Sequence, residues 1–339
     1  MFGQIKEVMI MVLNAGKGRN IDYMRISVTD RCNFRCSYCM PKEGIECKPR
    51  EEIMDYEDIM KIVKVAAEEG ISTFRITGGE PLVRLGIEKL IEKISDLETC
   101  QEVTMTTNGY LLHEKAEVLV EAGLDRVNIS LDTLIAEKFK EITGVDGLNQ
   151  VLTGIETAQN MGLQPVKINV VVIKNLNDDE IHKFAEFARS KNLHVRFIEY
   201  MPFNEEKTGE KNFERKNLVP LATIKNKVKD EFNLNPTNIE GNGPAKTYSI
   251  GNTKATIGFI SPLTHNICQS CNRLRLTADG FLRPCLSQQL ELNLYENQKV
   301  KSRMEIRELI RHSARKKPVN NNFKADCSKR DRNMSQIGG

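Results

Sequence analysis

Residues 22–39 read DYMRISVTDRCNFRCSYC and residues 73–81 read TFRITGGEP. Each opens with a short run in which apolar and polar side chains alternate: Met24, Ile26 and Val28 against Arg25, Ser27 and Thr29, then Phe74 and Ile76 against Arg75 and Thr77. Successive side chains of a strand point to opposite faces, so a period of two marks strands with one apolar and one polar face. The same alternation at 103–107, 126–131, 166–173 and 194–200 brings the expected strands to six, with 23–28 and 73–77 as the first two. Helical patterns intervene at 56–69, 87–97, 114–122 and 178–190, the first and third stopped by Gly70 and Gly123. Alternating strands and helices predict a parallel sheet, curled by right-handed crossovers. Parallel strands covered on both faces read as unbroken apolar runs, and a closed eight-stranded barrel fills its interior with branched apolar side chains. A polar inner face therefore predicts an incomplete or widened barrel around a polar ligand. An open sheet with one wet face is disfavoured, because helices should cover both of its sides.

Bulk properties narrow the function. A chain of 339 residues with 40% hydrophobic composition supports one large domain plus an appendage, or two domains. Lys+Arg of 49 against Asp+Glu of 46 leaves a net charge of +3; no nucleic-acid partner is expected, and any polyanion must meet a local cluster of cations. The apolar stretch 8–13 is far short of a membrane span and no small-residue cleavage site follows it. A cytoplasmic protein with no membrane attachment is expected. Nine cysteines, an odd number, point in a reducing compartment to metal or cluster ligation rather than to disulfides. After Pro202 the register changes: 204–217 reads as a charged linker, 221–232 as a helix, 246–260 as a hairpin and 304–315 as a basic helix. The last fifteen residues are polar and end Gly338-Gly339, on composition a loose tail.

Cys32, Cys36 and Cys39 follow the first strand, at the mouth where barrel enzymes place their chemistry. Three thiolates in so short a span hold three irons of a [4Fe–4S] cluster and leave the fourth open. A zinc knuckle would want a fourth ligand, and no histidine lies near. Cys268, Cys271 and Cys285 form a second triplet, with His265 three residues before it. On the residues alone a Cys3His zinc site and an iron–sulfur cluster are evenly matched, since thiolates suit both metals.

The spacing Cys32-x3-Cys36-x2-Cys39, with Tyr38 before the last cysteine, and Gly78-Gly79-Glu80-Pro81 after the second strand resemble the radical S-adenosylmethionine (SAM) superfamily. Residues 22–33, 74–81, 106–109, 128–132, 196–201, 271–285 and the terminal Gly338-Gly339 further resemble the GTP 3′,8-cyclases of molybdenum cofactor biosynthesis. That resemblance covers nearly the whole chain from Ile21. It implies a partial (βα)6 TIM-type barrel of the α/β class, with a C-terminal extension carrying a second [4Fe–4S] cluster. The divisions expected are an N-terminal extension at 1–21, the barrel at 22–217, a GTP and second-cluster domain at 218–324 and a tail at 325–339.

The resemblance also implies roles. Cys32, Cys36, Cys39, Cys268, Cys271 and Cys285 would hold two clusters; Tyr38, Gly78, Gly79, Glu80, Ser130 and Met201 would contact SAM; Arg25, Arg75, Thr106, Lys167, Arg196, Arg273 and Arg275 would contact GTP. Arg273, Arg275, Gly338 and Gly339 would serve turnover. Guanidinium groups suit a triphosphate because their forked donors take phosphate oxygens in pairs. A 5′-deoxyadenosyl radical would remove hydrogen from C3′ of GTP, and C3′ would join C8. Implied partners are GTP, an electron donor such as flavodoxin or ferredoxin, and cyclic pyranopterin monophosphate synthase downstream, for a monomer or homodimer. A radical SAM peptide maturase with an auxiliary cluster is the alternative; it would need a peptide-binding module and further cysteines. The chain departs from the pattern at Thr73, where relatives commonly carry a basic residue, after Pro202, and over the first twenty residues. Gly16-Lys17-Gly18 is too short for a phosphate loop, and Cys47, Cys100 and Cys327 read as ordinary thiols.

Overall fold

The computed structural model describes residues 13–16, 18–41, 43–201, 215–239, 243–265, 267–320 and 332–338. Strands and helices alternate as β1 (Tyr23–Ser27), α1 (Tyr56–Glu68), β2 (Thr73–Thr77), α2 (Ile87–Ser95), β3 (Glu102–Thr107), α3 (Leu112–Glu121), β4 (Arg126–Ser130), α4 (Ala136–Thr143), α5 (Leu148–Asn160), β5 (Lys167–Val172), α6 (Ile181–Lys191) and β6 (His194–Glu199). β1 to β6 pair in chain order, all parallel. Their register sets Arg25 level with Arg75, Asn128 with Lys167 and Asn169 with Arg196. The apolar set of each strand, Met24 and Ile26 or Val127 and Ile129 for example, packs into one continuous core with the helices.

Helices α4 and α5, between the fourth and fifth strands, are absent from the sequence reading. α5 follows Gly147 at its N-cap, carries Gly154 inside and is rich in Asn, Gln and Thr, a composition that gives little helical signal. Gly154 has a packing reason: a Cβ there would lie 2.5 Å from the Gly109 carbonyl oxygen.

The C-terminal part continues with α7 (Leu221–Lys229), β7 (Leu234–Thr237), β8 (Lys246–Ile250), β9 (Thr256–Ile260), β10 (Arg273–Leu276), β11 (Phe281–Arg283), β12 (Leu292–Asn293) and α8 (Arg303–Arg315). It is woven into the barrel rather than appended to it. β9 pairs parallel with β6 and β10 pairs parallel with β1. One twelve-stranded sheet results, in the order β12-β11-β10-β1-β2-β3-β4-β5-β6-β9-β8-β7. No ladder among the described residues joins its two ends, so the barrel stays partial.

α8 opens with a capping box between Ser302 and Glu305. Its arginines dock it on α1: Arg307 and Arg311 reach the buried Glu69 at 2.9 and 2.6 Å, and Arg303 pairs with Glu68. Residues 332–338 are not the loose tail that composition suggests. Arg332 bridges Asp279 and Glu291, each at 2.8 Å, a turn follows at Met334–Gln336, and Ile337 is buried. Gly339, residues 204–214 and residues 325–331 lie outside the described residues.

Candidate active site

A cavity of about 380 Å³ opens inside the partial barrel, and both cysteine triplets stand on its wall. The first is shaped by the loop after β1. Cys39 and Met40 donate their backbone N–H to the Cys36 carbonyl, at 2.8 and 3.1 Å, folding the triplet back on itself. Arg35 and Ser37 tie the loop to the end of α4, through backbone bonds to Thr143 and Ile142, and Phe34 packs edge-on to Phe139 and Tyr110. Cys32 Sγ accepts the Phe34 N–H at 3.4 Å. The tail reaches this triplet as well, since the Ser335 backbone N–H bonds Cys39. Burial pushes the Cys32 thiol up to about 11 and the Cys39 thiol to about 12, and burial followed by the neighbouring anions takes Cys36 well above the ordinary value. Such thiols ionise when a cation replaces their protons, so this triplet fits a cationic iron–sulfur core.

In the second triplet Cys271 donates its backbone N–H to the Cys268 carbonyl at 3.2 Å, and Cys285 follows β11 across the adjacent ladder. Burial would raise the Cys271 thiol, but Arg273 and Lys317 outweigh it and bring it to about 6. Burial pushes the Cys268 thiol the other way, up to about 11, so Cys271 is the member of this triplet poised as an anion against the cationic wall, and Cys268 ionises when a cation replaces its proton. His265 is exposed and spends Nδ1 on Thr264 Oγ1 at 3.2 Å.

The polar faces of the strands line the cavity between the triplets, as the alternation anticipates. Arg25, Arg75, Thr106, Lys167, Arg196, Arg273 and Arg275 all reach it. Arg75 donates through Nε to Tyr23 and through Nη1 to Thr106 Oγ1 at 3.4 Å. Burial, then the surrounding cations, lower the charged groups: Lys167 to about 6, Arg196 to about 9 and Arg275 to about 10. Burial would raise the Tyr23 phenol, yet Arg75, Arg25 and Arg273 hold it below its usual value. A cavity that depresses its own cations this far is built for an anion.

Tyr38, Gly78, Gly79, Ser130 and Met201 also line the cavity. Tyr38 donates its hydroxyl to Asp132 Oδ2 at 2.5 Å. A Cβ on Gly79 would sit 2.4 Å from the Arg31 carbonyl oxygen, so only glycine lets this loop lie against the cysteine loop. Glu80 does not line the cavity. Its carboxylate accepts from Thr107 Oγ1 at 2.7 Å, Asn108 N–H at 2.7 Å and Leu82 N–H at 3.0 Å, bracing the turns after β2 and β3. Gly338 takes a positive φ of 66°, and its carbonyl accepts from Arg25 Nε at 3.1 Å and Arg275 Nη1 at 2.6 Å.

Several wall residues fall outside the anticipated set: Tyr23, Arg126, Asn128, Asn169, Asp132 and Lys317. Strand parity already put Asn128 and Asn169 on the polar face, and extending it by two residues finds Tyr23 and Arg126. Lys317, after α8, has no such signal.

A curved parallel sheet with a cysteine triplet after its first strand and a glycine turn after its second defines a radical SAM enzyme, and the Radical SAM superfamily model matches residues 26–188. A second model, Molybdenum Cofactor Synthesis C, matches residues 193–323. A GTP 3′,8-cyclase of Petrotoga mobilis is 46% identical over 322 residues, covering 95% of this chain and 98% of its own. One from Listeria monocytogenes is 41% identical over 331 residues, with 95% and 98% covered. The chain belongs to the GTP 3′,8-cyclase family. Among solved structures, native anSMEcpe with bound AdoMet aligns over 89% of this chain and 82% of its own, with a TM-score of 0.61 at 18% identity. Streptococcus suis SuiB bound to its precursor peptide SuiA aligns over 94% and 70%, at 0.60 and 16%. These two share the fold.

Proposed function

We propose that this chain converts GTP to (8S)-3′,8-cyclo-7,8-dihydroguanosine 5′-triphosphate, the first step of molybdenum cofactor biosynthesis. The observation that carries the reading is the cavity on which two cysteine triplets and eight basic side chains converge, Arg25, Arg75, Arg126, Lys167, Arg196, Arg273, Arg275 and Lys317. A peptide substrate gives no reason to bury so many cations together.

Cys32, Cys36 and Cys39 hold one [4Fe–4S] cluster, and Cys268, Cys271 and Cys285 hold a second. When bound, the first cluster would pass one electron, drawn from an external donor of the flavodoxin or ferredoxin type, to SAM, whose reductive cleavage would supply the radical chemistry needed at C3′ of GTP. Gly78 and Gly79 let backbone come close enough to seat SAM, with Tyr38, Ser130 and Met201 around it, while Glu80 keeps that turn in place. Arg25, Arg273 and Arg275 grip the triphosphate through forked donors. Arg75, Thr106, Lys167 and Arg196, across the polar floor, orient the rest of the nucleotide so that C3′ meets the radical at contact distance. Arg273 and Arg275 stand beside the second triplet and hold the cyclised nucleotide while an external donor of the flavodoxin or ferredoxin type reduces it. The six-stranded radical SAM core of the barrel spans 22–217, the GTP and second-cluster domain, which adds strands to both edges of that core, 218–324 and the tail 325–339, with Gly338 and Gly339 completing the site. Among the described residues no helix is long and apolar enough to cross a membrane. The protein works in the cytoplasm, as monomer or homodimer, and passes its product to cyclic pyranopterin monophosphate synthase.

The test is anaerobic reconstitution with iron and sulfide, followed by turnover with GTP, SAM and dithionite. GTP-dependent 5′-deoxyadenosine and a cyclic nucleotide triphosphate are expected. SAM cleavage that GTP neither stimulates nor couples to a nucleotide product would refute the assignment.

A further inference from the structure

The N-terminal extension has no part in the reading above, yet residues 13–16 and 18–21 pair as the two arms of a hairpin that ends on the second triplet. Asn14 and Asn20 bridge antiparallel, and Gly16 and Gly18, with φ of 77° and 73°, make the turn. These are the glycines of the short Gly-x-Gly segment, and they serve to present Arg19.

Arg19 is buried, and its guanidinium collects four carbonyl oxygens: Cys268 at 3.0 Å and Pro318 at 2.8 Å on Nη1, Lys317 at 2.9 Å and Ala15 at 3.4 Å on Nη2. One side chain thus ties the backbone of a triplet cysteine to the segment that leaves α8. That segment carries Lys317, also buried, whose Nζ donates to the Pro284 carbonyl at 2.9 Å, to the Arg273 carbonyl and to Cys271. Pro284 precedes Cys285, and Arg273 lies two residues beyond Cys271. The ammonium therefore spans both arms of the triplet.

Among the described residues neither cation pairs with a carboxylate; their partners are carbonyl oxygens and a cysteine sulfur. Burying two cations without a counter-anion is costly, and the anion this arrangement faces is the triplet and whatever it holds. We propose that Arg19 and Lys317 are positioning residues of the second cluster: Arg19 fixes the Cys268 backbone and the 317–318 segment, and the Lys317 ammonium, against Cys271, favours the cluster's more negative, reduced state. This rests on the second triplet holding a [4Fe–4S] cluster. Net charge and hydrogen bonds to sulfur are the levers that set cluster potentials.

The experiment is an EPR-monitored redox titration of the reconstituted full chain, with iron and sulfide measured on the same samples. Wild type holding iron for a single cluster would sink the second-cluster reading itself, before the role of Lys317 is reached. With both clusters present, Lys317→Met disfavours reduction of the second cluster about tenfold, a fall of about 59 mV for a one-electron couple, and leaves the first unmoved. Lys317→Arg restores the potential because it restores the charge. An unshifted potential in Lys317→Met, or one in Lys317→Arg as low as in Lys317→Met, overturns the proposal. Should Lys317→Met fail to hold the second cluster, Arg19→Gln decides, since it leaves the ammonium in place. It loses second-cluster iron several-fold faster than wild type during desalting and keeps the first cluster; wild-type retention overturns the proposal.

Discussion

Lys167 is brought to about 6 by burial, followed by the fields of Arg126, Arg196 and Arg75. The amine is therefore neutral without nucleotide at about pH 7.5, and the negative field of a nucleotide bound in the same cavity, its triphosphate on Arg25, Arg273 and Arg275, restores the ammonium. Nucleotide binding should take up a proton. Calorimetry at that pH in two buffers of different ionisation enthalpy measures it, and the uptake should shrink in Lys167→Met; buffer-independent heats in both proteins would contradict it. The same group sets a stability slope. An unfolded lysine titrates near about 10.4 and the folded one at about 6, so between those values the unfolded chain binds more protons and stability rises with pH. Lys167→Met should flatten that rise in thermal unfolding. Arg275 is simpler, because Lys167 changes charge on binding while Arg275 stays charged throughout. Losing a charge-assisted phosphate contact costs about 2 kcal/mol, or about thirtyfold in GTP affinity, and Arg275→Ala should show this with the iron content of both triplets unchanged. An affinity equal to wild type would move the triphosphate elsewhere.

Among the elements, β1 to β6 were legible because each alternates apolar and polar side chains, and that alternation reports the curl of the sheet and its polar cavity at once. α4 and α5 were not, since Gly154 was chosen for close approach to the Gly109 carbonyl rather than for helicity. Nor could any local pattern show that β9 and β10 extend the barrel at opposite edges: β10 meets β1 in the register Tyr23 to Arg273, a pairing across most of the chain. The cysteines and the polar-face cations could be listed from sequence because their chemistry is carried by side chains. Arg19 and Lys317 could not, because their partners are chiefly backbone carbonyls, which every residue has. The join between α1 and α8 belongs to this scale. Glu69 is buried and receives Arg307 and Arg311, half-exposed guanidiniums whose contribution water screens. Glu69→Ala should cost about 2 kcal/mol in denaturant unfolding. Because α8 leads directly to Lys317, it should also weaken iron retention at the second triplet while sparing the first. Equal loss from both triplets would mean that α8 is not specific to one of them.

At the scale of the molecule, the chain closes on itself through its tail. The tail lies along the cavity from one anchor to another: the Ser335 N–H is on Cys39, and the Gly338 carbonyl is shared between Arg25 and Arg275. Gly338 packs so tightly that a Cβ would lie 3.2 Å from Thr77 Cγ2, at a φ that side chains rarely adopt. The two guanidiniums it occupies are two of the three assigned to the triphosphate, so tail and nucleotide draw on the same donors. Binding and turnover then respond differently to the loss of Gly338 and Gly339. Without the tail those donors are released, and GTP affinity should stay level or tighten. Without the tail the cavity also loses the segment that orders those guanidiniums and excludes water around a radical, and cyclisation should stop. The truncated protein is expected to fold, hold both clusters, bind SAM and produce no cyclic nucleotide. Equilibrium binding of GTP, measured beside GTP-dependent 5′-deoxyadenosine and product under anaerobic reduction, separates the two effects. Full turnover would make the tail dispensable, whereas a fall in GTP affinity as large as the fall in turnover would make it part of the binding site and remove its competition with the phosphates.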